Sequence, residues 1–348
     1  MSELGKQIAH LKWTDGLTWG ELEKRYPDIP RAKFRREATR YHDNHRDEFP
    51  QAAPPTIDGA TALDAQIEPE AAYRRMVEDW ELQKRFDEKK LRQTLKFSQD
   101  VVCLVNSADW HLGGAGVDYP ALRADLELIA RTPGMYLAAL GDLVDNFILQ
   151  KMASVRYGTT APIPAEWAVM RMMLEIVAEK LVIIVSGNHD KWTKLAAGVD
   201  YFANVVSGIT ARALYDSDEV RATLTVGEWD GILLKARHKW RGASELNATH
   251  GAEKAARFDA PFHIGLAAHT HISGLVRQFR VIDPETQAPT TGVILQAGSY
   301  KRIDDYARTI GLPAANASTS VAVIVDSRTR SLVGFDDLQC AANWMEAL

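Results

Sequence analysis

Cysteine is nearly absent: Cys103 and Cys340 are the only two in 348 residues. Two thiols so far apart make no disulfide framework and no thiolate zinc site. Cys103 lies inside an apolar run and is expected to be a buried thiol. Long apolar runs are missing as well. None approaches the ~20 residues of a membrane span, and Met1 to Asp15 carries no apolar stretch of a secretory leader. The expectation is a cytoplasmic protein in reducing surroundings, with no membrane partner. An excess of positive charge is also lacking, since 41 Lys and Arg face 46 Asp and Glu for a net charge of −5. The chain is not a polycation, and affinity for nucleic acid would need a local patch. What remains is an ordinary globular composition, 46% hydrophobic and 25% charged, in a chain long enough to bury a large core.

Residues 1–48 read as a small all-helical unit. Leu4, Ile8 and Leu11 share one helical face. Thr18 followed by Glu21 is a capping box for a second helix. Pro30 suits the first turn of a third, with Phe34, Ala38 and Tyr41 inward. Arg31, Lys33, Arg35, Arg36 and Arg40 lie outward, with Glu37 against them. Three short helices with a basic third one resemble a helix-turn-helix DNA-binding unit; the alternative is a solvated face on a helical appendage. Residues 49–99 read as a Pro- and Ala-rich linker followed by an amphipathic helix over 70–96. That helix carries Tyr73, Met76, Trp80 and Phe86, and is expected to dock on the next domain or pair two copies of the chain.

From 101 the pattern changes. Strands are expected at 101–105, 136–140 and 181–185, with helices at 119–131 and 165–180 alternating between them, an α/β arrangement. Further strands at 220–226, 231–237, 274–282, 292–297 and 320–326 follow without long helices, so the second half is mixed or antiparallel. Residues 337–348 are read as a tail.

Five short patterns follow in order: Asp109-Trp110-His111, Gly141-Asp142-Leu143-Val144-Asp145-Asn146, Gly187-Asn188-His189-Asp190, His238 and His269-Thr270-His271. Residues two apart in an extended segment point the same way, so Asp109 and His111 can meet one ion. Asp142 has two carboxylate oxygens and could bridge two. Asn188 offers an amide oxygen, and His238, His269 and His271 offer imidazoles. His189 is held in reserve. This mixture suits Mn, Fe or Zn better than Mg or Ca. Two ions about 3.5–4 Å apart would clamp a phosphate and generate a hydroxide. Each pattern alone could be a surface loop or a turn; all of them in sequence point to a two-metal phosphoester hydrolase. His10, His42 and His45 read as surface histidines. His250 is a candidate substrate contact, and His263 is left open.

On these motifs, over about 100–330, the chain resembles the calcineurin-like metallophosphoesterase superfamily. The resemblance implies two mixed β-sheets sandwiched between helices, with ligands on loops at the strand ends. It implies Asp109, His111, Asp142 and His271 around one ion, and Asp142, Asn188, His238 and His269 around the other. His189 would donate a proton or hydrogen bond to the leaving oxygen, oriented by Asp145. Two departures stand out. Ala268 replaces the usual Gly before the last His-x-His, where a left-handed backbone would cost energy. Asn146 replaces the Arg of the protein phosphatases, which argues against a phosphoserine phosphatase. The stretch Gly298-Ser299-Tyr300-Lys301-Arg302, with Asp305-Tyr306-Ala307-Arg308, is similar to one in phage-encoded members, which suggests a phage or prophage origin.

The expected function is a metal-dependent phosphodiester hydrolase acting as a DNA nuclease, with chemistry similar to the Mre11/SbcD exonucleases. Its cofactors would be two divalent transition ions, manganese first, with iron or zinc as alternatives. Lys239, Arg241, Lys301 and Arg302 are candidate phosphate contacts, or solvated loop residues. A small-nucleotide phosphodiesterase or phosphatase with an oligomerising N-terminal unit is the second reading. A DNA-binding regulator with a degenerate catalytic domain is the third.

Overall fold

The computed structural model describes residues 3–49, 68–90, 93–148, 161–210, 212–242, 244, 247–259, 261–282, 289–302 and 319–348. The chain forms two compact units, Met1–Arg75 and Met76–Leu348.

The first unit holds three helices, α1 (Glu3–Trp13), α2 (Trp19–Arg25) and α3 (Arg31–Asn44). The expected capping box forms: the Glu21 amide donates to Thr18 Oγ1, and the Thr18 amide donates to Glu21 Oε2 at 2.7 Å. Pro30 stands at the N-cap of α3 rather than inside its first turn. Ile8, Ala9, Leu22, Phe34, Ala38, Tyr41 and Phe49 make a separate small core.

Helix α4 (Pro69–Lys90) runs across the division, and its Met76, Trp80, Leu82 and Phe86 are exposed. The sequence reading carried this helix to 96, but it stops at Lys90. Gln93–Phe97 is instead a strand, β1, whose Leu95 and Phe97 are buried while Thr94 and Lys96 are exposed. That period of two is a strand signature, masked in sequence by the charged helix before it.

The second unit continues with β2 (Val101–Ser107), α5 (Tyr119–Arg131), β3 (Met135–Ala139), α6 (Ile163–Ile176), β4 (Leu181–Val185), α7 (Asn188–Ala197), α8 (Tyr201–Ser207) and β5 (Leu214–Asp216). It ends with β6 (Glu219–Val226), β7 (Trp229–Arg237), α9 (His250–Phe258), β8 (Ile264–Ala267), β9 (Gly274–Ile282), β10 (Pro289–Gln296), β11 (Val321–Asp326), β12 (Ser331–Phe335) and α10 (Leu338–Glu346). One sheet has the order β12-β11-β2-β3-β4-β5, the other β1-β6-β7-β8-β10-β9. Both are mixed. In the first, β2 to β5 are parallel and β11 and β12 antiparallel. In the second, β1 is parallel to β6, and β8 to its neighbours β7 and β10.

Alternation along the strands builds the layers. Val102 and Leu104 of β2 join Leu224, Leu234, Leu266 and Leu295 of the other sheet in an apolar layer between the sheets. Cys103 and Val105 point the other way, into a core with Leu122 and Ile129 of α5 and Met170 and Leu174 of α6. A strand buried on both faces reads as a continuous apolar run, which is why β2 and β4 were legible. The supposed tail 337–348 also belongs to this core: α10 is capped by Asp337, and its Leu338, Ala341 and Ala342 are buried. On the second sheet α9 packs through Ala252 and Ala256 against Trp240, Phe262 and Ile294. This is the two-sheet sandwich flanked by helices that the resemblance implied.

Candidate metal centre

The motif residues lie where β2, β3, β4, β7 and β8 end. Asn106, on β2, ties the two sheets together there, donating through Nδ2 to the carbonyls of Ala267 (2.9 Å) and Leu295 (3.1 Å). The loops beyond are strained. Among the described residues, the non-glycine positions with left-handed backbone are Asp109 (φ 51°), His111 (48°), Asp142 (50°), Asn146 (45°), His269 (79°), His271 (59°) and, elsewhere, Arg330 (50°). Each such position costs about 1–3 kcal/mol and persists where surrounding structure enforces it. Ala268 is not among them, so alanine replaces glycine there without the expected backbone cost.

The donors converge. Asp109, His111 and His271 form one group of potential ligands, and Asp142, His238 and His269 another; His111, Asp142 and His189 make a third that overlaps both. His271 Nε2 is 3.0 Å from His111 Nε2 and 3.4 Å from Asp109 Oδ1. On the other side His238 Nε2 is 3.1 Å from Asp142 Oδ2 and 3.1 Å from His269 Nδ1. The far nitrogens of two of these rings are occupied. His111 Nδ1 is 2.9 Å from Asp145 Oδ1, and His238 Nδ1 is 2.6 Å from the Leu140 carbonyl. Each Nε2 is thereby turned toward another imidazole, with the far nitrogen held by an acceptor as in metal-binding histidines. Asp109 Oδ1 and Asn188 Oδ1 are buried without a hydrogen-bond partner. Buried acceptors in that condition are costly unless a cation meets them. The donor set therefore fits divalent transition metals.

Other groups hold the donors. The His269 amide donates to Asp109 Oδ2 at 2.9 Å, and the His189 amide to Asp142 Oδ1 at 2.8 Å, so each carboxylate has one oxygen fixed by backbone. Asp190, to which the sequence reading gave no role, is buried and accepts three amides: Gly187 (2.7 Å), Asp142 (2.8 Å) and Leu143 (3.0 Å). It clamps the loop after β3 to the start of α7. The two backbones touch there. A Cβ on Gly141 would collide with Gly187, and one on Gly187 with the Asp142 carboxylate. Asn146 continues the clamp, donating to the His189 carbonyl at 2.7 Å and accepting from Thr193 at 3.1 Å, while its amide donates to Glu166 at 2.7 Å. Glu166 lies on α6, far from any motif, and carried no sequence signal.

Charge follows this geometry. Burial alone would raise the Asp142 carboxyl, but His238 and His189 hold it well below the ordinary range. Against a burial penalty, the Asp142 carboxylate pushes His238 up to about 9. Burial lowers His189 to about 4, and the charge of His111 adds to the effect. Burial also lowers His269 to about 4. Asp190 is raised by burial and by the neighbouring Asp142.

Six of the expected ligands, Asp109, His111, Asp142, His238, His269 and His271, come together with His189. Asn188 opens α7 with its amide oxygen buried. The Asp145–His189 pairing takes a different form from the one expected. His189 Nδ1 sits 2.7 Å from the Asp145 main-chain carbonyl, while the Asp145 carboxylate serves His111. Lys301 Nζ lies 3.4 Å from Asp145 Oδ1. Arg302 faces Asp118 at 3.9 Å, and Arg241 and His250 are exposed. A shallow concavity beside His269 is lined by Lys239, Trp240, Gly251, Thr270 and Gln296, among others. On α3, Arg31 and Arg35 pair with Glu23, whereas Lys33, Arg36 and Arg40 are exposed. The segment 305–308 lies outside the described residues.

Fold and site define a class: a two-sheet α/β sandwich with a buried cluster of histidine and aspartate donors at its strand ends. No family model and no curated protein matches the sequence. Among solved structures, the calcineurin-like phosphoesterase YfkN from Bacillus subtilis is 13% identical over 68% of this chain and 89% of its own, with a TM-score of 0.33. A conserved protein from Streptococcus pneumoniae, described as a predicted phosphoesterase, is 11% identical over 68% of this chain and 97% of its own, with a TM-score of 0.28. Likenesses this distant assign no activity. Among the described residues no helix is long and apolar enough to cross a membrane.

Proposed function

We propose that this chain is a metal-dependent phosphoester hydrolase, and within that class a phosphodiesterase acting on DNA. The observation that carries the reading is the set of donor groups that meet at Asp142, with imidazole nitrogens facing one another and a buried carboxylate oxygen and amide oxygen without hydrogen-bond partners. Asp109, His111, Asp142 and His271 would hold one ion, and Asp142, Asn188, His238 and His269 the other. Two divalent ions, manganese first with iron or zinc as alternatives, would supply Lewis-acid activation of the phosphate and of water.

The chain's own groups do the rest. Asp145 and the Leu140 carbonyl fix the tautomers of His111 and His238, so that both present Nε2. His189 donates through Nδ1 to the Asp145 carbonyl, which leaves its Nε2, 4.0 Å from Asp142 Oδ2, open to the cleft. Its lowered pKa keeps the ring neutral near pH 7. A phosphate anion beside the ring favours its protonated form, and His189 would then carry a proton from solvent to the leaving oxygen. Lys33, Arg36 and Arg40 on α3 would meet DNA phosphates.

A second reading, a phosphodiesterase for small nucleotides with an oligomerising N-terminal unit, would use the same donor cluster. One panel separates the two: manganese-loaded protein against single-stranded DNA, duplex DNA, cyclic nucleotides and a chromogenic diester. The DNA reading expects cleavage of DNA. Cleavage of small nucleotides alone overturns it, and cleavage of nothing in the panel overturns the hydrolase.

A further inference from the structure

A group that hands a proton to a leaving oxygen must hold its ring plane as well as its place. The His189 backbone is fixed on both sides: its amide donates to Asp142 Oδ1 at 2.8 Å, and its carbonyl accepts from Asn146 Nδ2 at 2.7 Å. The freedom that remains is in the side chain. The last torsion of a histidine is broad, so the ring plane is not set by the residue's own rotamer. One hydrogen bond, from Nδ1 to the Asp145 carbonyl at 2.7 Å, holds one atom of the ring. The ring can still pivot about that atom, and a pivot swings Nε2 away from its aim.

Two aromatic residues outside the metal motifs close on the ring. Trp192 stands three residues on along α7, where a helical side chain leans back over the turn before it. Its ring centre is 4.0 Å from that of His189, with the planes 33° apart. Phe147, just past the loop that holds Asp142 and Asn146, meets the imidazole edge-on at 5.2 Å and 70°. Phe147 and Trp192 pack on each other at 5.4 Å, and both are buried. His111 makes a third wall, 4.7 Å away at 85°. The His189 side chain is left only 13% exposed. A ring so enclosed has one plane open to it, and the broad Trp192 face lies nearest.

We propose that Trp192 is a positioning residue for His189: with Phe147 beside it, the indole sets the imidazole plane that aims Nε2 into the cleft. The proposal rests on the phosphoester reading and on His189 as its proton donor. The experiment measures hydrolysis of a nitrophenyl and a phenyl phosphodiester, the second with the poorer leaving group, by manganese-loaded full-length protein. Wild type is compared with Trp192→Leu, Trp192→Phe, His189→Ala, and Trp192→Leu combined with His189→Ala, with metal content measured on each. Trp192→Met replaces Trp192→Leu if that variant does not fold. Trp192→Leu should keep its ions, lose roughly 3- to 10-fold on the phenyl ester, the span of one aromatic contact, and lose little on the nitrophenyl ester. Trp192→Phe should recover most of the loss. Added to His189→Ala, the Trp192→Leu change should cost nothing further. Equal loss on both esters, a loss that adds to that of His189→Ala, or loss of metal overturns the proposal in favour of packing alone. Unchanged rates in an active protein overturn it as well. A second readout needs no hydrolysis. The His189 Nδ1 proton, seen by NMR in zinc-loaded protein and assigned by its loss in His189→Ala, should exchange faster with solvent in Trp192→Leu. That change in a protein that hydrolyses no ester would uphold Trp192 while the hydrolase reading fell. An unchanged exchange rate overturns Trp192 whatever the esters show.

Discussion

Asp190 offers the sharpest test of how the site is held. Its carboxylate takes three backbone amides at 2.7, 2.8 and 3.0 Å from two ligand-bearing loops, and is almost wholly buried. Asp190→Asn keeps the shape but replaces one acceptor oxygen with an NH2 group. The remaining oxygen can serve Gly187 and Asp142, which share Oδ2, while the new NH2 confronts the Leu143 amide. One hydrogen bond is lost and one buried donor is left without an acceptor, a cost of about 2–4 kcal/mol. For a unit of this size that is a fall of about 5–12 °C in Tm. Displacing the Asp142 and Gly187 backbones should also weaken metal binding by about 10- to 100-fold, the usual scale for groups that orient ligands. Thermal melts of chelator-treated protein and a manganese titration read the two effects. A melt within about 1 °C of wild type, with unchanged metal affinity, would refute the clamp.

Other expectations follow from the same geometry. His189→Ala should retain both ions yet lose roughly 10²–10⁴-fold in rate, with a smaller loss for a nitrophenyl leaving group; equal losses for good and poor leaving groups would remove the acid role. Acidification should destabilise the metal-free protein. His189 and His269 are held near pH 4 when folded and titrate near 6.5 when unfolded, so unfolding takes up two protons between these values; Asp190, raised to about 7 when folded, opposes them with one, and on balance stability falls as pH drops through that window. Melts at pH 7 and pH 5 in chelator check this, and a flat or rising Tm on acidification contradicts it. Deleting residues 1–48 should weaken salt-sensitive DNA binding while sparing hydrolysis of a small chromogenic diester. Intact protein that binds no DNA at low salt in a gel-shift series would end the DNA reading.

Much of the sandwich is legible in the sequence because its central strands are buried on both faces. Residues 101–105 and Leu181–Val185 are unbroken apolar runs, and the polar residues after them mark the strand ends. The ligands are legible for the same reason, as histidines and carboxylates concentrated just past strand ends. What escaped notice has weaker local signals. β1 is five residues beside a charged helix, and α10 is nine residues lying beyond the last expected strand. Glu166 acts across space, from a helix with no motif, on Asn146. Asp145 was matched to His189 by motif, yet which of its oxygens reaches which ring depends on the left-handed turns at His111 and Asn146, which sequence spacing does not encode.

The proposed hydrolase stands on a two-ion centre bridged by Asp142. Elemental analysis of manganese-soaked, desalted protein, run beside Asp142→Asn, tests it most directly. The wild-type chain should hold about two transition ions, and the variant should lose metal at both sites together with hydrolysis. A wild-type chain that retains no metal, or an Asp142→Asn chain that retains both ions and near-normal turnover, would contradict it.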